Sequence, residues 1–301
     1  MTPASVVGMA VGAAFFFALA EIAMRSALRF ATPIMTAFLT IVVQWIVYTG
    51  LILATGEFSA LNPSGLLWFS IAGVLNPFLF LTLYLFGIQQ IGVARSAPVK
   101  GSAPIFAVIF AVGYLGERLG ALQYLGIALV VGGILVISTE GLRGLGGEAS
   151  PTPPEAARPR RIDFIFPLLA GMAGGIASVI FKVSMGKMPS PLLGVWIVSS
   201  EALLLFPLAA FLFPADQRFR AGRPAMPWIV LAGLSGSAAM YGFILSIGLG
   251  QVSIVFTLVQ ASPLFVLLMS VVFLRQLERV TWRVVAGAVL TVGGGVLVSL
   301  V

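Results

Sequence analysis

The chain has 301 residues and a net charge of +7, with 59% hydrophobic and only 9% charged residues. So little polar surface cannot cover a water-soluble globule of this length, and the composition therefore predicts an integral membrane protein. Cysteine and histidine are both absent, which excludes disulfides, thiolate nucleophiles and metal ligation through either residue. We expect no metal, no cofactor and no nucleic-acid partner.

Ten apolar segments follow one another along the chain, each near the roughly 20 residues that a helix needs to cross a bilayer. They lack the alternation of membrane-barrel strands, so we expect helices. The first resembles a signal-peptide core, but no Lys or Arg precedes it, and we expect it to be kept as a helix. The segments lie near 5–26, 33–54, 65–87, 92–112, 120–139, 163–185, 190–213, 227–248, 251–274 and 281–300.

The plan of residues 92–139 is repeated at 250–300, and that of 5–33 at 163–191. In the first of these repeats, an apolar run with an internal proline precedes a Glu-Arg turn and then a helix with spaced glycines. Two copies at this fidelity predict a duplicated five-helix unit. The matched positions are Pro104 with Pro263, Glu117-Arg118 with Glu278-Arg279, Gly126 with Gly287, and Thr32-Pro33 with Ser190-Pro191.

The segment 140–162 is rich in Gly, Pro and Arg, and we expect it to link a first half, 1–139, to a second half, 163–301. An odd number of spans in each half forces the halves into opposite orientations. We therefore predict an all-α integral membrane protein with ten transmembrane helices in two inverted five-helix repeats. Arg and Lys are concentrated on the face of the linker, so the positive-inside rule predicts a cytoplasmic linker and external termini.

The glycine-rich helices and the Glu-Arg turns have structural interpretations. We expect Gly126, Gly287, Gly132-Gly133 and Gly293-Gly294-Gly295 at close contacts between helices, because none follows a strand or precedes a lysine-serine pair as a phosphate loop would. The two Glu-Arg turns are expected to cap helices.

Charged side chains inside the spans are the most informative residues, because a charge at mid-bilayer costs about 2.5–3.5 kcal/mol even on a lenient scale. Arg95 and Lys100 correspond to Ile254 and Val259 in the second half, so the duplicated scaffold is electrically one-sided. The in-span charges are Glu21, Arg95, Lys100, Lys182 and Glu201.

Each of these charges has a structural alternative. Arg95 would snorkel from a helix end, and the others would form ion pairs within or between helices. The alternative pairs are Lys100 with Glu21 or Glu201, Glu201 with Lys182, and Glu21 with Arg25.

Inverted repeats place a binding site near the midplane, where interrupted helices expose backbone polar groups. Pro98, Pro104 and Pro263 would each free a carbonyl one turn earlier, or would only kink helices whose neighbours then satisfy them. Phe78, Phe80, Tyr84, Phe106 and Tyr241 are candidates to contact the apolar part of a substrate. The candidate substrate-binding residues are Lys100, Arg95, Glu21, Asn76, Ser102, Pro104, Tyr241, Gln260 and Pro263.

Ten spans, a five-plus-five duplication, an in-helix proline before a Glu-Arg turn and a glycine-rich last helix in both halves resemble the drug/metabolite transporter superfamily, specifically its EamA-type members. The resemblance covers the whole chain. It implies a non-enzymatic secondary transporter, commonly an exporter of amino acids or other small metabolites. In such a fold, helices one, three, four, six, eight and nine line a central cavity. We expect a monomer, multi-pass in the cell inner (plasma) membrane.

Lys100, helped by Arg95, would bind an anionic group, most simply the carboxylate of an amino or organic acid. A proton-driven cycle would have to use Glu21 or Glu201, and facilitated export is the alternative. A membrane-embedded enzyme acting on a lipid or prenyl substrate is the main competing class, but it would need clustered carboxylates, and aspartate occurs only at 163 and 216. An assembly subunit would need no charges within its spans.

Overall fold

The computed structural model describes residues 3–91, 96, 99–144, 164–211, 220–273 and 282–299. These residues form ten membrane-spanning helices, as predicted: six are long apolar helices and four are shorter apolar ones. Continuous helices are α1 (Pro3–Ala27), α2 (Pro33–Thr55), α5 (Ala121–Gly144), α6 (Ile165–Lys187), α7 (Pro191–Ala210), α8 (Met226–Leu249) and α10 (Trp282–Ser299). Interrupted helices are α3 (Pro63–Gly73, Val74–Leu79 and Phe80–Ile91), α4 (99–100 and Ala103–Leu115) and α9 (Val252–Val259 and Ser262–Phe273).

Successive spans alternate in direction, so two faces can be named. The terminal face is where α1 begins and α10 ends, and the linker face is where α5 ends and α6 begins. Helix α5 runs to Gly144 and overlaps the first residues of the predicted linker, since Glu140, Leu142 and Arg143 are good helix formers. The division of the chain at 139 and 163 stays a prediction.

The helix contacts come in matched sets that exchange the two halves. Helix α1 packs on α8 as α6 packs on α3, and α9 packs on α1 as α4 packs on α6. Two further contacts map onto themselves, α2 with α7 and α5 with α10. This pattern is that of inverted repeats related by a twofold axis in the membrane plane.

Loops from opposite halves are tied together at both faces. On the linker face, Ala31 and Ala221 form an isolated antiparallel bridge, and the Gly222 N–H donates to the Phe30 carbonyl at 2.8 Å. On the terminal face, the Ser190 hydroxyl donates to Glu57 at 2.5 Å. Neither half is therefore free to move without the loops of the other.

Glycines bring α5 and α10 into backbone contact. A Cβ atom added at Gly126 would lie 2.7 Å from the carbonyl oxygen of Gly294, and one added at Gly133 would lie 2.5 Å from that of Gly287. Side chains cannot approach so closely, so the predicted packing role of Gly126 and Gly287 is confirmed.

The same role does not hold for every glycine of the two runs. A Cβ atom added at Gly132 or Gly293 would meet nothing within 4 Å. The prediction for these two was wrong because neighbouring residues on a helix point about 100° apart, so only one of an adjacent pair can face the partner helix.

Candidate functional site

Helices α4 and α9 are interrupted at corresponding places, directly before the paired prolines. The Ser102 N–H donates to the Val99 carbonyl at 3.1 Å, and the Ala261 N–H donates to the Leu258 carbonyl at the same distance. These tight turns separate the helical residues 99–100 and the short helix Val252–Val259 from the helices that carry Pro104 and Pro263. The two predicted interruptions are present.

The carbonyl that Pro104 frees is used in packing. The Lys100 carbonyl oxygen would lie 3.2 Å from a Cβ atom added at Gly171 of α6. Most residues with a side chain would crowd this oxygen, so the glycine allows a close approach of α6. At Pro104 the structure therefore agrees with the alternative interpretation, in which the proline kinks its helix and a neighbouring helix packs on the kink.

The Lys100 side chain reaches from α4 to α3, where its ammonium lies over two aromatic rings. Its Nζ is 4.6 Å from the ring centroid of Tyr84 and 5.5 Å from that of Phe80. A cation over a ring face gains roughly 0.5–2 kcal/mol, the larger value where water is excluded. Lys100 is partly buried and makes no ion pair with an acidic residue in the described part of the chain. Two of the predicted aromatic contacts thus hold the lysine itself.

Glu21 and Arg25 are the charged side chains of α1 that lie within electrostatic range of Lys100. They bind each other, with 2.8 Å between Arg25 Nη2 and Glu21 Oε1, and their side chains are 50% and 45% exposed. The predicted alternative for Glu21, a pair one helical turn apart, is confirmed. An exposed pair of this kind adds little stability, and it leaves Lys100 without a counter-ion of its own among the described residues.

In the second half, the residues that correspond to Lys100, its two rings and Glu21 are all apolar. The alignment is fixed by the paired prolines and by Ala72-Gly73 with Ala232-Gly233. Three of the four apolar counterparts belong to the main core and are at most 4% exposed. The asymmetry between the halves that was predicted for the charges of the fourth helix therefore extends to residues of three helices. The replacements are Val259 for Lys100, Met240 for Phe80, Ile244 for Tyr84 and Val179 for Glu21.

A buried aromatic cluster fills the centre of the bundle towards the terminal face. Around Phe243 of α8, the ring centroids of Phe17, Phe181 and Phe256 lie at 6.3, 6.1 and 6.0 Å, and Phe69 is 6.4 Å from Phe181. Phe69 and Phe256 lie in the second turns of helices that begin at that face. The centre of the bundle is closed there by apolar packing, and Lys100 lies nearer the linker face, in the short first piece of α4.

Helix α3 contains a third interruption, which the sequence analysis missed. Asn76 has extended backbone angles (φ −147°, ψ 117°) between Gly73 and Phe80. Asn-Pro is a turn signal, and Asn76-Pro77 was the available clue. Its counterpart in α8 is Gly236-Ser237, so comparison of the repeats did not reveal it.

The remaining candidates are spread over several positions. The Ser102 hydroxyl donates to the Val99 carbonyl at 2.6 Å, which makes it part of the α4 turn. Gln260 is partly buried in the turn of α9. Tyr241 is 39% exposed on a stripe of α8 that includes Leu234, on the opposite side from the buried positions. Arg95 and Pro98 lie outside the described residues.

Two charged residues from different halves hold the turn between α8 and α9. Lys182 Nζ donates to the carbonyls of Gly248 at 3.0 Å and Gly250 at 2.9 Å, at the end of α8. The Glu117 carboxylate accepts the N–H groups of Val252 at 2.5 Å and Ser253 at 3.1 Å, at the start of α9. Each charge lies where the helix dipole favours it. The alternative of a Glu201–Lys182 pair is therefore wrong, and the capping role predicted for Glu117 is confirmed.

Comparison with known proteins gives one family and one fold. The model of a family described as the EamA-like transporter family matches residues 4–139 and 162–300. Among solved structures, 29 chains match; one, described only as the crystal structure of a protein, has 19% identity and a TM-score of 0.79 over 99% of this chain and 98% of that chain. At this identity the likeness shows the fold alone. No curated protein matches.

Proposed function

Because the chain belongs to the EamA-like transporter family, a family of membrane transporters of small molecules, we propose that it exports a metabolite with an anionic group. The substrate is an amino acid or another organic acid. Transport follows alternating access around a central cavity, in the inner (plasma) membrane of the cell. The observation that carries this proposal is the Lys100 ammonium, which rests on two rings and has no acidic partner among the described residues.

A carboxylate would displace the rings from Lys100. A charge-assisted hydrogen bond between ammonium and carboxylate is stronger than a cation–π contact, above all in a site with little water. Lysine offers a point charge and does not require the two-pronged geometry by which arginine recognises phosphate. The rings of Phe80 and Tyr84, once released, are available to the apolar part of the substrate.

The apolar counterpart in the second half supports a directional site. A cation on one side, with Val259 in the corresponding place on the other, orients a substrate that carries one charged end. A symmetric cavity would not distinguish the two ends. This argument concerns orientation of the substrate and leaves its identity to experiment.

Transport by purified protein in liposomes tests the proposal. Lys100→Met should fold, since an internal charge is removed, and should lose transport of carboxylates by at least about tenfold, which corresponds to roughly 1.4 kcal/mol. Lys187→Met is the matched control, because Lys187 is an exposed lysine at the end of α6. Undiminished carboxylate transport by Lys100→Met, or efficient transport of purely cationic compounds by the native protein, would contradict the proposal. Vesicles of known orientation decide the direction.

A further inference from the structure

We propose that Glu201 is a proton-binding site at the contact between α7 and α3, and that its proton and the substrate anion bind alternately. The second part rests on the proposed function. The first part, the proton site, stands on the geometry of the α3–α7 contact alone.

The Glu201 carboxyl lies against the one place where α3 begins to depart from a regular helix. Its Oε2 atom is in direct contact with the position that a Cβ atom on Gly73 would occupy, three residues before Asn76. This oxygen is buried and has no hydrogen-bond partner in the part of the chain that the structure describes. The Ser70 side chain is the hydrogen-bonding neighbour of the carboxyl group. A carboxylate needs several donors, and this place supplies one.

No cation compensates a charge at this position among the described residues. Helix α7 packs against α2, α3, α6, α8 and the short helix Glu57–Ala60. Their titratable groups are bound elsewhere or lie away from Glu201: the Tyr48 hydroxyl donates to Ser237, Lys182 caps α8, and Glu57 accepts from Ser190. The remaining titratable groups of these helices are Tyr84, whose ring lies under Lys100, and Lys187 and Tyr241, whose side chains are exposed.

The repeat supplies an internal comparison. Gly233 of α8 in the second half lies against Val43 and the Thr40 backbone of α2, as Gly73 of α3 in the first half lies against Glu201 and Val198 of α7. Val43 and Glu201 are corresponding residues in the repeat alignment. The same glycine contact is thus made by a neutral side chain in one half and by a carboxyl group in the other. A neutral carboxylic acid fits this contact, whereas a carboxylate in the middle of α7 would be stranded in the bilayer core.

Helix α3 connects the proton site to Lys100. Gly73 lies before the interruption at Asn76, and the rings of Phe80 and Tyr84 lie after it. When Glu201 loses its proton, the charge must leave the apolar contact, and the two pieces of α3 turn about Asn76. The rings then move from Lys100, which becomes available to an anion. One proton leaves as one anion binds, so the two ligands are exchanged.

Infrared difference spectroscopy tests the proton site directly. The spectrum of native protein minus Glu201→Gln at neutral pH should contain the carbonyl band of a protonated carboxylic acid. Glu201→Val, which copies Val43, is a second variant that keeps the glycine contact, and Glu21→Gln is the control that should leave the band in place. Carboxylate bands in place of the acid band, or a rise in melting temperature with sodium chloride that choline chloride does not reproduce, would overturn the proposal.

Transport tests the exchange. With labelled L-alanine and succinate as probes, an imposed pH gradient should accelerate flux at least about fivefold in native protein and in the control Lys187→Met, and should have no effect in Glu201→Gln. Full pH-gradient dependence in Glu201→Gln would overturn the coupling. Lys100→Met should retain the infrared band although it transports neither probe, so a failure of the Lys100 site and a failure of the proton site give different results.

Discussion

At the scale of single residues, the turn between α8 and α9 offers the sharpest test of stability. Glu117→Gln removes the charge that caps α9 and should destabilise the protein by about 0.5–2 kcal/mol, measured as the shift in thermal unfolding in detergent. Arg118→Gln, an exposed change one residue away, should stay within about 0.5 kcal/mol of the native protein. Equal losses in the two variants would show that the cap contributes nothing.

Lys182 should be energetically coupled to Glu117. The two side chains hold the same six-residue turn, and they lie within electrostatic range of each other. In a double-mutant cycle of Glu117→Gln with Lys182→Met, the coupling free energy should be at least about 0.5 kcal/mol. Strictly additive losses would mean that α8 and α9 are capped independently.

The sequence predicted which residues carry charge inside the spans, but not all of their partners. The Glu21–Arg25 pair follows from a spacing of four on one helix. The contacts of Lys182 and Glu117 join residues that are far apart in sequence, one of them across the two halves, and no local pattern signals them. The two rings under Lys100 were among the predicted aromatic residues, although their role was assigned to the substrate.

At the scale of helices, the α5–α10 contact separates neighbouring glycines. Gly126→Leu should impair folding by about 1–3 kcal/mol or more, because its side chain would collide with the backbone of α10. Gly132→Leu places the same side chain on the same helix in open space and should be tolerated. Yield of folded protein in membranes and its thermal unfolding measure the difference. Similar losses in the two variants would mean that the stability of α5 depends on helix propensity and not on packing against α10.

Helix positions were predictable because bilayer thickness imposes a length on every apolar run. The paired interruptions of α4 and α9 were predictable because two copies of the same proline pattern support each other. The interruption of α3 could not be predicted in the same way, because α8 has no copy of it. Nor could the sequence show that Gly133, and not Gly132, lies against α10, because this depends on the rotation of α5 about its own axis.

At the scale of the whole molecule, the distribution of Arg and Lys predicts the orientation in the membrane. A reporter that is active only in the cytoplasm should be inactive at the C-terminus and active when inserted between residues 145 and 163. The expected cause is the excess of basic residues on the linker face, which include Arg29, Arg220 and Arg223. Activity at the C-terminus together with inactivity in the linker would reverse the assignment.

The glycine contact of α5 with α10 has a consequence for ancestry. Gly126 meets Gly294 and Gly133 meets Gly287, while Gly126 corresponds to Gly287 and Gly133 to Gly294. The last helix of each half therefore contains both kinds of glycine that the contact needs. The same is true of the surface of a symmetric homodimer, where one patch binds its own copy. A single five-helix protein whose copies insert into the membrane in opposite orientations could already form this helix contact as a dimer. Fusion of two such units fixes one orientation for each copy, and it frees the copies to diverge, so that one acquires Lys100 and the other Glu201.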